Sequence, residues 1–172
     1  LPGYGTRMLY LAPPLPEAWE ETLCDAEDAF ERWRQMGADC GPLRHGFTSL
    51  KTGDHLEKRC AMAKALLESM ALLPRWERDA AGNVRVTVKC ISAAGVSVIN
   101  AQVRLRIAPG SMKQYPLTWN GSAYEAVLPP ETFARVYDPD TCDYVPLTGA
   151  ARLILQAETD AWQGGALLTV HL

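Results

Sequence analysis

The stretch VRVTVKCISAAGVSVINAQVRL, residues 84–105, decides the fold of this chain. Over residues 84–90 every second residue is apolar, and the residues between them are polar or charged. The same alternation returns, with more regularity, over residues 99–107. A period of two is typical of strands that have one buried and one exposed face. The stretch therefore predicts two successive β-strands in a sheet that is polar on one side.

Further strands follow toward the C terminus. An Asn-Gly turn after Trp119 favours a type I′ hairpin that pairs Trp119 with Ser122. This register puts one set of apolar side chains on a shared face: Tyr115, Leu117, Trp119, Tyr124, Ala126 and Leu128. Alternation over 153–157 and 166–172 predicts the last two strands. Six or seven short antiparallel strands predict a β-sandwich over residues 83–172.

Apolar residues before Pro74 repeat with a helical period instead. The first helix begins near residue 17 and ends by Gly37. Its apolar stripe consists of Trp19, Leu23, Ala26, Phe30 and Trp33. The glycine-rich segment 37–53 predicts a loop, and a second helix opens with Asp54 as its N-cap and ends at Pro74. The sequence thus predicts an α+β protein in which a helical hairpin, residues 17–74, precedes the sandwich.

Four residues are candidates for an interface. Residues 1–16 are rich in proline and glycine and predict an extended arm. The apolar run in this arm either adds a strand to a neighbour's sheet or packs on its own domain, which makes Leu9 and Tyr10 candidates. Trp76 and Trp162 are two more, because they lie near the ends of predicted elements and aromatic side chains are favoured at interfaces.

Two stretches resemble a known group of β-sandwich modules. Residues 95–103, GVSVINAQV, resemble the run Gly-x-Pro-Val-x-Gly-Ala-x-Val of carboxypeptidase-regulatory-like and Cna-B-like modules, with Ser97 and Asn100 in place of Pro and Gly. Residues 120–133 are similar to the Gly-x-Tyr and Leu-Pro-Pro-Gly-x-Tyr signals of the same modules, with a glutamate in place of the last glycine. The resemblance covers residues 83–172. It implies an Ig-like or prealbumin-like sandwich that serves as a non-catalytic spacer, adhesion or assembly module.

Composition argues against several functional classes. The chain of 172 residues is 48% hydrophobic and has a net charge of −3, as in soluble globular proteins. Its 17 Lys and Arg residues are scattered, whereas a nucleic-acid surface needs a basic cluster. No apolar run approaches the roughly 20 residues of a membrane-spanning helix. Because common catalytic and nucleotide-binding motifs are missing from the sequence, we predict neither an enzyme nor a bound cofactor.

Five cysteines without a CxxC pair suit disulfides in an oxidising compartment. We favour a disulfide between Cys90 and Cys142. Cys60 pairs with either Cys24 or Cys40, and the spacing leaves these alternatives open.

A weak metal-site pattern overlaps with these cysteines. Cys40, His45, His55 and Cys60 have the spacing C-x4-H-x9-H-x4-C, and zinc binds two thiolates and two imidazoles. However, His55 and Cys60 are five residues apart at a helix start and point to different faces. We therefore predict a disulfide or free thiols here rather than a metal site.

These features together predict a non-catalytic structural module on the outside of a cell or particle. It acts through self-assembly or protein-partner binding, as a filament, virion or adhesion component. The sequon at Asn120 is a glycosylation candidate and fits an extracellular setting. The first alternative is a domain that binds a small ligand or carbohydrate, and the second is an enzyme whose site residues are dispersed along the chain.

Overall fold

The computed structural model describes residues 17–53, 55–108 and 113–172. The helices are α1 (Trp19–Gln35), α2 (Arg44–Thr52) and α3 (Leu56–Leu67), with 3-10 turns at Gly41–Leu43 and Pro130–Phe133. The strands are β1 (Met70–Arg78), β2 (Val84–Ser92), β3 (Gln102–Ala108), β4 (Tyr115–Trp119), β5 (Tyr124–Leu128), β6 (Arg135–Asp138), β7 (Asp143–Pro146), β8 (Ala150–Glu158) and β9 (Gln163–His171). Within the described ranges, no helix is long and apolar enough to span a membrane.

The α+β class is confirmed, but the predicted helical hairpin is not. The loop prediction over 37–53 is wrong, because α2 occupies most of that segment. Leu50 of α2 is buried, and the Phe47 ring stacks on Phe30 of α1 with the ring centroids 3.8 Å apart. This packing outweighs the low helix propensity of Gly46 in α2. The predicted arm, with Leu9 and Tyr10, lies outside the described residues, and so does the predicted N-cap Asp54.

The predicted end of the second helix at Pro74 is also wrong. Helix α3 stops at Leu67, and the chain enters β1 only three residues later, at Met70. Pro74 lies inside β1, opposite Val88 of β2. Since β1 is the first strand in the hydrogen-bonded order, a proline there removes no bond to a second neighbouring strand.

The seven-stranded sheet has the order β1-β2-β5-β4-β3-β8-β9, and each strand is antiparallel to its neighbours. Its first and last strands approach each other along a line that we call the seam. Ser69 and Gln163 form a parallel bridge at one end of the seam, where the Gln163 N–H donates to the Glu68 carbonyl at 3.3 Å. At the other end, Arg78 donates to the His171 carbonyl at 2.6 Å. The sheet is thus nearly cylindrical, and the predicted Ig-like sandwich is not confirmed.

Two apolar cores lie on opposite sides of β1 and β2. Inside the rolled sheet, Leu72, Val86, Leu105 and Leu155 are among the fully buried side chains. The second core lies between the helices and the outer face of β1 and β2, where Ala71 and Ile91 are buried. The helices therefore cover one part of the outer sheet surface.

Helix α1 is attached to the turn that follows β2 by two side chains. Trp33 is fully buried, and its indole N–H donates to the Ser92 carbonyl at 2.9 Å. One residue earlier, the Arg32 guanidinium donates to the Ala93 carbonyl. These two bonds link α1 to the end of β2 and the turn after it.

The predicted hairpin exists, but its register is shifted. Trp119 lies opposite Tyr124 rather than Ser122, and the Asn120 N–H donates to the Ala123 carbonyl at 2.9 Å. The cause is the Asn120 carboxamide, whose oxygen accepts the N–H groups of Ser122 and Ala123 at 2.9 Å each. Each β4 residue therefore lies opposite a residue two positions further along the chain than predicted. Because side chains alternate with a period of two, the pairs change but the same residues stay on the apolar face.

Candidate functional site

A polar depression crosses the outer face of β3, β8 and β9, and we call it the trough. Its volume is about 330 Å³. Its lining residues are Gln102, Arg104, Gln156, Ala157, Glu158, Gln163 and Gly164. The registers place Gln102 opposite Glu158 and Glu158 opposite Gln163, so these three side chains form one row across the strands. Because side chains alternate along a strand, this row faces outward while Val103 and Leu155 face the core.

The two glycines at the start of β9 have different roles. Gly164 lies opposite Ala157, and Gly165 lies opposite Gln156. Gly164 is also required by the seam, because a Cβ atom there would meet the Met70 carbonyl oxygen and lie 2.7 Å from Leu72 Cδ1. A Cβ at Gly164 would thus face β1 and the core, and its absence permits the approach of β1. Gly165, in the outward row of Gln156, is the residue that leaves the trough without a side chain at its position.

Arg104 holds the polar side chains of the trough in place. Its Nη2 atom donates to Glu158 Oε1 at 2.8 Å and to Gln102 Oε1 at 3.2 Å. Its Nη1 atom donates to Gln114 Oε1 at 3.2 Å. The Arg104 and Glu158 side chains are 44% and 52% exposed, so this ion pair contributes at most about 1 kcal/mol to stability. Its main effect is to orient the groups around it.

The trough presents hydrogen-bond donors and acceptors side by side. A glutamine carboxamide both donates and accepts, a carboxylate accepts, and a guanidinium donates. Since the amide oxygens of Gln102 and Gln114 point toward Arg104, their NH₂ groups point away from it. Such a surface can bind a ligand whose groups also donate and accept, without needing a net charge on the ligand.

A second depression, the junction cavity, lies where the helices meet the sheet. Its volume is about 360 Å³, and it is lined by Asp25, Asp28, Arg32, Leu67, Ser92, Ala93, Ala94 and Trp162. Trp162, an interface candidate from the sequence, is half-buried here, and its backbone N–H donates to Thr159 Oγ1 at 2.9 Å. Because Trp162 directly precedes Gln163, the junction cavity and the trough lie on either side of the start of β9.

The structure joins none of the five cysteines by a disulfide. Cys90 lies in the core of the rolled sheet, where burial raises the pKa of its thiol to about 12. Cys142, its predicted partner, is exposed at the turn between β6 and β7. Cys24 is exposed on α1, while Cys60 is buried on α3.

The four residues of the metal pattern lie on different elements. Cys40 precedes the first 3-10 turn, His45 is exposed on α2, and His55 is the exposed N-cap residue of α3. Within the described ranges, no three His, Cys, Asp or Glu side chains form a group that could hold a metal. Partial burial, together with the nearby Asp39 carboxylate, raises the pKa of the Cys40 thiol. This shift favours the neutral thiol over the thiolate that zinc requires.

Asn120 and Trp76 occupy separate surface positions. Asn120 is exposed at the hairpin turn, and its Nδ2 atom, which would carry a glycan, donates to Glu125 Oε2 at 2.6 Å. Trp76 is half-buried on β1, with its ring centroid 6.3 Å from that of His171 and 5.8 Å from the Arg78 guanidinium carbon. The structure does not bring either residue into the trough or the junction cavity.

The comparisons with known proteins give little further information. No family model matches the chain, and no curated protein matches it. Among solved structures, the crystal structure of the Br derivative of BhCBM56 is similar, with 14% sequence identity and a TM-score of 0.31. The match covers 61% of this chain and 94% of that one. Neither an Ig-like nor a Cna-B-like family is shown.

Proposed function

We propose that this protein is a non-catalytic binding module and that its trough takes a hydroxyl-rich, carbohydrate-like ligand. The observation that carries the proposal is the Arg104 network, which holds Gln102, Gln114 and Glu158 in fixed positions on an open sheet face. A domain that binds a small ligand or carbohydrate is also the first alternative that the sequence predicts.

The hydrogen-bonding capacity of the trough suits sugar hydroxyls. Each hydroxyl group both donates and accepts, and each loses bonds to water when it is covered. Gln156 and Gln163 supply two more carboxamides beside the Arg104 network, so donors and acceptors alternate over a small area. Because Arg104 already orders its neighbours, less side-chain entropy is lost when the ligand binds.

The trough has little in common with the centre of a protein–protein interface. Such centres are enriched in Trp, Tyr, Phe, Met and Arg and poor in Lys, Glu and Asp. Arg104 is of an enriched type, but the lining contains no Trp, Tyr, Phe or Met, and it does contain Glu158. This composition favours a polar small ligand or a sugar over a protein at this position.

Affinity electrophoresis tests the proposal directly. The protein is run through native gels containing soluble starch, xylan, galactomannan or hydroxyethyl-cellulose, and at least one of them is expected to slow it. Arg104→Ala should lower the affinity for that polysaccharide by about tenfold and so reduce the retardation, because it removes the group that orients the side chains of the trough. Arg152→Ala is the matched control, because Arg152, on β8, is an exposed arginine like Arg104 but lies outside the lining.

Two results would contradict the proposal. One is unchanged mobility in all four polysaccharides. The other is an equal loss of retardation in Arg104→Ala and Arg152→Ala, which would point to a general effect of charge.

Self-association is the second candidate function, and one observation favours it. Strands β4 and β5 pair at Thr118 and Trp119 and then separate around an opening of about 480 Å³. Pro116, which has no N–H to donate, and the half-exposed Val127 line this opening. Light scattering after size-exclusion chromatography over a range of concentrations tests it, and a monomer throughout would argue against assembly. An extracellular or particle-surface location remains a prediction under either function.

A further inference from the structure

The polar side chains of the trough are arranged in rows that cross the strands. Gln102, Glu158 and Gln163 form the first row. The second row contains Pro116, Arg104, Gln156 and Gly165, and therefore begins on β4. Neighbouring strands lie about 4.8 Å apart, so the second row extends over roughly 14 Å from β4 to β9. Two rows on one face are separated by about 7 Å along the strands, which makes the trough longer across the strands than along them.

The two ends of the trough carry the same chemistry as its centre. Gln163 lies at the β9 end, and Gln114, which precedes β4 and is held by Arg104, extends the polar surface beyond the lining at the other end. Gln156 lies between them, on the central strand β8. All three side chains are exposed. The hydrogen-bonding groups are thus spread over a length greater than one sugar ring.

We infer that the trough binds a linear chain of linked sugar units that runs across the strands from the β4 side to the β9 side. The inference rests on the proposed function and specifies its ligand class. One sugar unit of an extended chain covers about one strand spacing, so successive units meet successive strands. The strands β9, β8, β3 and β4 therefore carry four units. Gln163 contacts the first unit, Gln156 the second, Arg104 the third and Gln114 the fourth.

A ladder of oligosaccharides tests the inference by calorimetry. If starch retards the protein, the ladder is glucose to maltohexaose, and if xylan does, it is xylose to xylohexaose. Affinity is expected to rise by about tenfold or more between one and four units and then to change little, because the added units pass beyond the last polar group.

Two kinds of variant separate the ends of the trough from its centre. Gln156→Ala should weaken binding to every member of the ladder. Gln114→Ala and Gln163→Ala should weaken binding to chains of four or more units by a larger factor than binding to a single sugar. Arg152→Ala again serves as the control, and circular dichroism of each variant verifies that it is folded.

The possible failures can be told apart. If a single sugar binds as tightly as the longest chain, the inference is overturned while the proposed function stands. If no saccharide binds, both are overturned. If an extended polar peptide such as a glutamine-rich decapeptide binds in place of the saccharides, the ligand class is wrong, although the trough is a binding site.

Discussion

A single tryptophan connects the helices to the sheet. The Ser92 carbonyl accepts the Trp33 indole N–H at 2.9 Å and also the Gly95 N–H at 2.9 Å within the turn after β2. Trp33 has no exposed surface. It therefore contributes both apolar packing in the second core and a directional bond to the turn, whereas a phenylalanine would supply only the packing.

Replacing Trp33 should show the size of both contributions. We expect Trp33→Phe to lower the free energy of unfolding by about 2–3 kcal/mol, because it leaves a cavity and removes the hydrogen bond to Ser92. Trp19→Phe changes the same side chain at the half-exposed start of α1 and should cost less than about 1 kcal/mol. Urea denaturation followed by circular dichroism measures both, and equal losses would contradict the role given to Trp33.

Cys90 makes stability depend on pH in the alkaline range. Burial raises its pKa from 9.0 to about 12, so the folded state keeps the neutral thiol while the unfolded state ionises above pH 9. The stability that this thiol contributes is thus complete below pH 9 and is lost as the pH rises from 9 to 12. Above pH 9, wild-type protein should lose up to about 1.4 kcal/mol per pH unit more than Cys90→Ala. Parallel losses in denaturant titrations at pH 8, 9 and 10 would contradict this assignment.

The helices and strands that the sequence predicted correctly are those with a regular apolar period. Helix α1, the alternating strands β2, β8 and β9, and the apolar face of the hairpin are present as expected. Helix α2 was missed because its stability comes from packing of Phe47 and Leu50 on the other helices, which no local pattern reveals. Strand β1 was missed because Pro74 ends helices but is also tolerated in an edge strand.

The hairpin turn offers a matched pair of variants. Asn120→Ala removes the acceptor of two backbone N–H groups and should destabilise the protein by about 1–2 kcal/mol. Ser122→Ala leaves those bonds intact and should be nearly neutral. Both variants destroy the sequon, so thermal unfolding of protein made without glycosylation isolates the effect of the turn. A similar loss in the two variants would contradict the observed register.

At the scale of the whole molecule, the trough could not be predicted. In its first row, Gln102 lies beside Glu158 and Gln163 although it is far from both in the sequence, and the three residues share no motif spacing. The available signal was only that the polar face of β3 and β8 carries carboxamides as well as charges. The strand order brings these faces together, and a strand order is not readable from alternation. Trp162 was predicted as an interface residue, and it lines the junction cavity beside the trough.

The seam should be sensitive to a single methyl group. In Gly164→Ala the new Cβ would press on the Met70 carbonyl oxygen and on Leu72, which we expect to cost about 2–3 kcal/mol. Gly165→Ala is the control, since its Cβ would lie 3.4 Å from the Leu155 carbonyl oxygen and is expected to cost less than about 1 kcal/mol. Guanidinium titrations of the two variants decide the matter, and equal stability would mean that the seam is loosely packed.

The same seam has a consequence for the order of folding. Strand pairs such as β1–β2 and β8–β9 are close in sequence, whereas the bridge between Ser69 and Gln163 closes a long loop and costs the most chain entropy. We therefore expect the seam to be the last contact to form, after the folding transition state. Gly164→Ala should accelerate unfolding in stopped-flow experiments and leave the refolding rate unchanged. The contacts of the seam would then set how slowly the native state unfolds.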